Sequence, residues 1–406
     1  MGWLAFFAAL GAIPALASTR IARRAAAAPA LTIAAGAALA VFVGIFKLPQ
    51  PPADAIAFAA KAGLAILGFA SAAQLRVSRL ARHCPSSFRL TCGGAPLYFF
   101  ACSLAAFIML PQLSIASAML VGGALMLNGA AFDRKAVINT PAPAAIKAAV
   151  RNESAAIIAL GIPVAALVAA NATVSTPGEP SVGPLMNASF AVLRGFAFGG
   201  LAGLAASAAG ALYRRSTMQQ RALDGQFAIV AAIAMFILGP VIGCDPIVAA
   251  TSVGLLWGEQ TSAASTTRFR IRRYVDRAVT PLTYFAFGAV LLPRLLQADM
   301  LAIVFALAAV TVMRAGPRLA ILQTPMLPRE SQMFLAWFGG APGAASALFV
   351  MTLVGNPALL DADAVLMITT LSILFGVAAA RMTSRPLARL YVRQSALARR
   401  RRAWAG

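Results

Sequence analysis

The sequence predicts an all-α, polytopic membrane protein of about 13 transmembrane helices, arranged as two inverted repeats with broken, crossing helices. Three observations carry that reading. Of 406 residues, 60% are hydrophobic and only 11% are charged, with a mean hydropathy of +0.81, whereas soluble domains hold roughly 45–50% apolar residues. Apolar runs long enough to cross a hydrocarbon core recur from end to end, and a run of about 18 or more residues reads as a span. The basic residues alternate from one connection to the next. A soluble globule is excluded, no charge-rich block is long enough for a further soluble domain, and function must lie within the bilayer.

The apolar segments fall at about 3–18, 27–46, 55–75, 94–110, 113–132, 154–173, 186–212, 226–243, 246–258, 279–296, 299–317, 332–354 and 363–381. With 34 Lys and Arg against 12 Asp and Glu, the chain carries a net charge of +22, which by itself could signal nucleic acid. Placement argues otherwise: 29 of the 34 basic residues lie in alternate connections, from Arg20, Arg23 and Arg24 through Arg268–Arg277, Arg318 and Arg329 to the tail from Arg381 to Arg402. The opposite connections hold Lys47 and Arg294 with Asp54, Glu179, Asp299, Asp361 and Asp363. The positive-inside rule then predicts an outside N-terminus and a cytoplasmic C-terminus, as in a bacterial inner membrane, and an odd number of spans. The first segment ends in Ala-Leu-Ala-Ser, like a signal-peptidase site, yet lacks a basic leader; cleavage after residue 18 would leave twelve spans in the same orientation.

Metal and catalytic chemistry find no support. Cys84, Cys92, Cys102 and Cys244 form no C-x-x-C pair, and the single histidine, His83, lies in a basic loop. No cofactor and no enzyme activity are expected. Asp245, in Gly243-Cys244-Asp245-Pro246, has the form of a helix N-cap followed by Pro at the first helical position. Asp133 heads a basic loop, Arg194 and Lys61 can snorkel to water, and Gly195, Gly199, Gly203 and Ser207 form a small-residue stripe suited to close helix packing.

Interrupted spans are the best pointer to a binding site in proteins built from inverted repeats. Two qualify. The fifth segment carries Leu127-Asn128-Gly129 late in an apolar run, and the twelfth carries Trp337-Phe338-Gly339-Gly340-Ala341-Pro342-Gly343. Segments 1–6 and 8–13 would form two six-helix halves of opposite orientation, in which the fifth and twelfth correspond.

These stretches resemble the monovalent cation/proton antiporter family, in its sodium/proton exchanger branch. Leu67-Gly68-Phe69-Ala70-Ser71-Ala72-Ala73-Gln74-Leu75-Arg76 is similar to that family's third-helix end. Ala336-Trp337-Phe338-Gly339 through Gly343-Ala344-Ala345-Ser346 resembles its Gly-Trp-Phe-Gly-Pro-Arg-Gly-x-Ala-Ser segment, and Thr280–Ala289 resembles the span before its polar eleventh helix. Arg314 falls where the family has an intramembrane Arg. The ion-binding motif is degenerate. Where the family has Thr-Asp-Pro this chain has Leu127-Asn128-Gly129. Where the family has Glu-Ser-x-x-Asn-Asp it has Glu153-Ser154-Ala155-Ala156-Ile157-Ile158, so both ion-binding positions are isoleucine. Gly340-Ala341-Pro342 replaces the expected Pro-Arg.

The resemblance implies scaffold helices over 1–93 and, with a linker helix, over 186–298; a core transport domain over 94–173 and 299–382; and a basic cytoplasmic tail over 383–406. It also implies a homodimer in the lipid bilayer that handles a monovalent cation and protons, without nucleic acid. An intramembrane Arg is costly unless paired, so Arg314 is expected to pair with Glu153. The candidate transport core is therefore Asn128, Gly129, Glu153, Ser154, Ile157, Ile158, Arg314, Gly339, Gly340 and Pro342. Two functions stand: exchange of Na⁺ or K⁺ for protons by alternating access, or a non-transporting relative serving as a membrane assembly or regulatory partner.

Overall fold

The computed structural model describes residues 29–47, 51–78, 80, 85–128, 143–174, 182–216, 224–260, 265–323, 328–359 and 361–404. The first predicted span and its cleavage site, His83, Gly129, Asp133 and Glu179 lie outside them. Among the described residues every regular element is a helix, and each of the twelve predicted segments from the second onward coincides with one helix or a broken pair. The order is α1 (Pro29–Ile45), α2 (Ala53–Ala72), α3 (Pro85–Met109), α4 (Ile115–Met126), α5 (Ala144–Val174), α6 (Val182–Ser216), α7 (Asp224–Leu238) and α8 (Pro246–Gln260). Then follow α9 (Ser265–Arg277), α10 (Val279–Val290), a 3₁₀ turn (Leu292–Gln297), α11 (Met300–Val310), α12 (Val312–Leu322), α13 (Arg329–Phe338), α14 (Ala344–Met351) and α15 (Ala362–Trp404). Among the described residues, six helical stretches are long and apolar enough to cross a bilayer unaided.

Small residues set the closest packing, as expected where lipid gives helices no hydrophobic reason to associate. A Cβ on Gly199 would stand 2.3 Å from the Ala249 carbonyl oxygen, and one on Gly203 would stand 2.6 Å from that of Val253, so the α6 glycine stripe brings that backbone directly onto α8. Gly36 and Gly288 do the same for α1 against α10, with prospective Cβ atoms 2.0 Å and 2.1 Å from the Phe285 and Ile33 carbonyl oxygens. Gly254 and Gly258 seat α8 on α2 at Phe69 and Ala73. A second group joins α3, α4, α5 and α11–α15 around Leu120, Leu125, Ile158, Phe305 and Ile368, all essentially buried. Exposed Phe100, Leu201, Val241, Met300 and Val312 form the outer, lipid-facing surface.

Asp245 accepts from the Ile247 and Val248 amides at 3.0 and 2.8 Å, the N-cap geometry expected of it at the start of α8. Two sequence expectations are corrected. The basic stretch around Arg268–Arg277, read as a loop, folds into α9, because Arg268 and Arg272 bury against the ends of α8 and α2. The segment ending at 317 continues to Leu322, so Arg318 is a buried helix residue and not a loop charge. The basic stretch from 383 is helical, since α15 runs for 43 residues through Pro386 to Trp404.

Asp361, in the loop entering α15, ties that loop to α4 by accepting from the Ser114 amide at 3.0 Å. Partial burial pushes its carboxyl upward, but the Ser114 amide and the Ser117 and Ser114 hydroxyls outweigh that and hold it below the ordinary carboxylate value. A depressed folded-state pKa contributes stability above the unfolded value that disappears as pH falls through the folded one. Unfolding followed from neutral to strongly acidic pH should therefore show a loss of stability below the ordinary carboxylate range that is shallower in Asp361→Asn.

Candidate functional site

The fifth and twelfth predicted segments break and cross. Helix α4 ends at Met126; Leu127 turns extended at φ −66°, ψ 127°, and Asn128 pairs with Pro342 in an isolated antiparallel bridge. On the other strand of the crossing, α13 ends at Phe338, Gly340 adopts φ +70°, and α14 begins at Ala344. A left-handed residue is costly for anything but Gly, which accounts for Gly340. The Ser346 hydroxyl in the first turn of α14 donates to the Leu127 carbonyl, one of the acceptors orphaned where α4 stops. The Gly343 amide donates to Ser346 Oγ at 3.4 Å.

An ion pair pins this crossing from the side. Arg318 Nη1 on α12 lies 2.5 Å from Glu153 Oε1 on α5, with the two side chains 3% and 0% exposed. Its remaining donors reach the end of α13: Nε to the Ala336 carbonyl at 3.1 Å and Nη2 to that of Leu335 at 3.0 Å. One guanidinium thus neutralises a buried carboxylate and satisfies two carbonyls, using the fork that distinguishes Arg from Lys. It lies flat on Gly339-Gly340: a Cβ on Gly339 would sit 2.0 Å from Nη2 and 2.6 Å from Glu153 Oε2, and one on Gly340 2.6 Å from Nη1. Neither charged group can yield without breaking the pair. Gly339→Ala is expected to cost about 1–3 kcal/mol, the range for overpacking a filled interior, measured as a lowered unfolding midpoint in detergent. An unchanged midpoint would refute the contact.

The expected partner of Glu153 is corrected by this geometry. Arg314, one turn earlier on α12 and 1% exposed, instead stacks over the Trp337 ring, 5.3 Å from its centroid, while the Trp337 indole donates to Thr383 Oγ1 at 2.8 Å. Both arginines face α13. Arg318 reaches Glu153 because it lies nearer the unwound end at Gly339. The π-turn Leu90–Gly94 in α3 packs on the same helix, with Gly93 against Ile321 and Gly94 against the stem of Arg318. Sequence reasoning missed Arg318 and Ser346. The run Arg318-Leu319-Ala320-Ile321-Leu322, amphipathic after Pro317, was the signal for the first.

The other candidates group as follows. Ser154, Ile157 and Ile158 are buried on α5 with Glu153, and both isoleucines belong to the main apolar core. Asn128 is 0% exposed, and neither its Oδ1 nor its Nδ2 has a hydrogen-bond partner; the Ser154 hydroxyl is likewise buried without one. An unsatisfied buried amide is costly, so Asn128, paired through its backbone with Pro342 beside unwound chain, marks a place built for polar company. No group of His, Cys, Asp and Glu among the described residues could hold a metal in the manner of a structural site.

Broken helices crossing among buried charged and polar groups define a secondary transporter core. The chain belongs to the transmembrane sodium/hydrogen exchanger family, whose profile matches residues 5–389, and so to the cation/proton antiporters, secondary transporters and not enzymes. It is similar in fold to the sodium proton antiporter MjNhaP1 from Methanocaldococcus jannaschii at pH 8, at a TM-score of 0.72 and 16% identity over 96% of this chain and 99% of that one. An electron-microscopy structure of MjNhaP1 aligns at a TM-score of 0.61 and 14% identity, over 97% and 98% of the two chains. No curated protein matches by sequence.

Proposed function

We propose that the chain exchanges Na⁺ or K⁺ for protons by alternating access, moving a core of residues 94–173 and 299–382 against the scaffold of 1–93 and 186–298, as a homodimer in a bacterial inner membrane with its C-terminus in the cytoplasm. The observation that carries it is the Asn128 amide, buried and without a partner at the helix crossing. Its Oδ1 suits a partly dehydrated monovalent cation, and the unwound carbonyls beside it are ligands of the same hard type. Ser154 Oγ would complete such a set from α5. Glu153 is fixed to Arg318 at 2.5 Å and serves to hold α5, α12 and the end of α13 in register.

The exchange proposed is slow. Ile157 and Ile158 supply neither charge nor dipole where a carboxylate would alternate between proton and cation. Purified protein in vesicles bearing a pH gradient is expected to release protons above the protein-free rate on addition of Na⁺ or K⁺, and Asn128→Leu should abolish that increment. Absence of any cation-dependent flux would favour the assembly-partner reading.

A further inference from the structure

Helix α9 carries five arginines, and they do two different things. Arg268 donates to the Gly258 carbonyl at the end of α8. Arg272, 1% exposed, donates to Ser71 Oγ at 2.6 Å in the last turn of α2 and pairs with Asp276 at 2.9 Å. Both anchors lie at the ends of apolar helices, so α9 is held at the level where hydrocarbon gives way to headgroups. Arg270, Arg273, Tyr274 and Arg277 are exposed, and their spacing of three, four and seven residues puts them on one helical face. Asp276, the only acid in α9, pairs with Arg272.

We propose that this outer face of α9 binds the phosphate groups of anionic phospholipids of the phosphatidylglycerol type in the adjoining leaflet. Orienting the chain in the membrane requires basic residues on this side, but not a helix anchored through two buried arginines with an exposed basic face. The fork of a guanidinium matches two phosphate oxygens. Tyr274, 73% exposed between them, is of the amphipathic type enriched at membrane interfaces. The partner is an assembled lipid surface: the exposed arginines span two turns of α9, which suits several headgroups side by side and not one soluble anion.

The test uses the full chain in nanodiscs, with retained phospholipid counted by native mass spectrometry and unfolding followed by heating. Native protein is expected to prefer phosphatidylglycerol over phosphatidylcholine, and R270Q/R273Q/R277Q to lose on the order of tenfold in that preference, while keeping its unfolding midpoint in pure phosphatidylcholine. High salt should weaken the preference in the native chain. R399Q/R400Q/R401Q/R402Q, which alters the end of α15, should retain it. Should the triple variant fail to fold, Arg270→Gln and Arg277→Gln singly are each expected to lower it about twofold. An unchanged preference in these variants, loss confined to the α15 variant, or equal protection by soluble glycerol 3-phosphate would overturn the proposal.

Discussion

Replacing Glu153 by Gln, or Arg318 by Met, is expected to destabilise the protein by about 3–5 kcal/mol, the effect of leaving one member of a buried ion pair alone. Arg318→Met should be the worse of the two, because it also frees the Leu335 and Ala336 carbonyls at the end of α13. The double replacement should cost less than the sum of the singles, since no uncompensated charge then remains. Arg314→Met loses a stacking contact with Trp337, a contribution of roughly 0.5–2 kcal/mol, and should not be rescued by Glu153→Gln. Thermal unfolding of these three single variants, and of each arginine variant combined with Glu153→Gln, distinguishes the two arginines. Rescue of Arg314→Met but not of Arg318→Met by Glu153→Gln would reverse the pairing described above.

Introducing Asn at Ile157 and Asp at Ile158 is expected to raise cation-driven proton exchange on the order of tenfold, equivalent to about 1.4 kcal/mol off the limiting barrier. Both side chains are buried on α5, one turn from Glu153 and Ser154. An acid there would add to α5 a titratable group beside Glu153, which Arg318 holds in an ion pair. The same change removes two core side chains and buries polar ones, so the variant is expected to be less stable while faster. Loss of stability without a gain in rate would place the limit elsewhere.

The spans were legible because a bilayer demands long apolar runs, and the break at 339–343 because Gly-Gly-Ala-Pro-Gly cannot continue a helix. The sequence marked two interrupted spans as counterparts, whereas the pairing of Asn128 with Pro342 is visible only in the fold. What escaped the sequence was decided by tertiary contact. Arg318 counted as a loop charge because Pro317 closes the apolar run, yet α12 passes through Pro317 and buries Arg318 against the end of α13. Arg268 and Arg272 likewise looked like topology signals until the ends of α8 and α2 supplied them with acceptors. Arg314 and Arg318 lie one turn apart on the same helix, and only the position of the unwound Gly339-Gly340 backbone selects which of them reaches Glu153.

In the exchange proposed above, the isoleucine pair on α5 limits coupling. Proton flux driven by Na⁺ or K⁺, measured per molecule in identical vesicles for the native chain and for Ile157→Asn/Ile158→Asp, decides the point. The native rate is expected to lie above that of protein-free vesicles and roughly an order of magnitude below the variant's. A native rate equal to or above the variant's would contradict it, and would move the proton carrier to Glu153, Asp133 or Asp245.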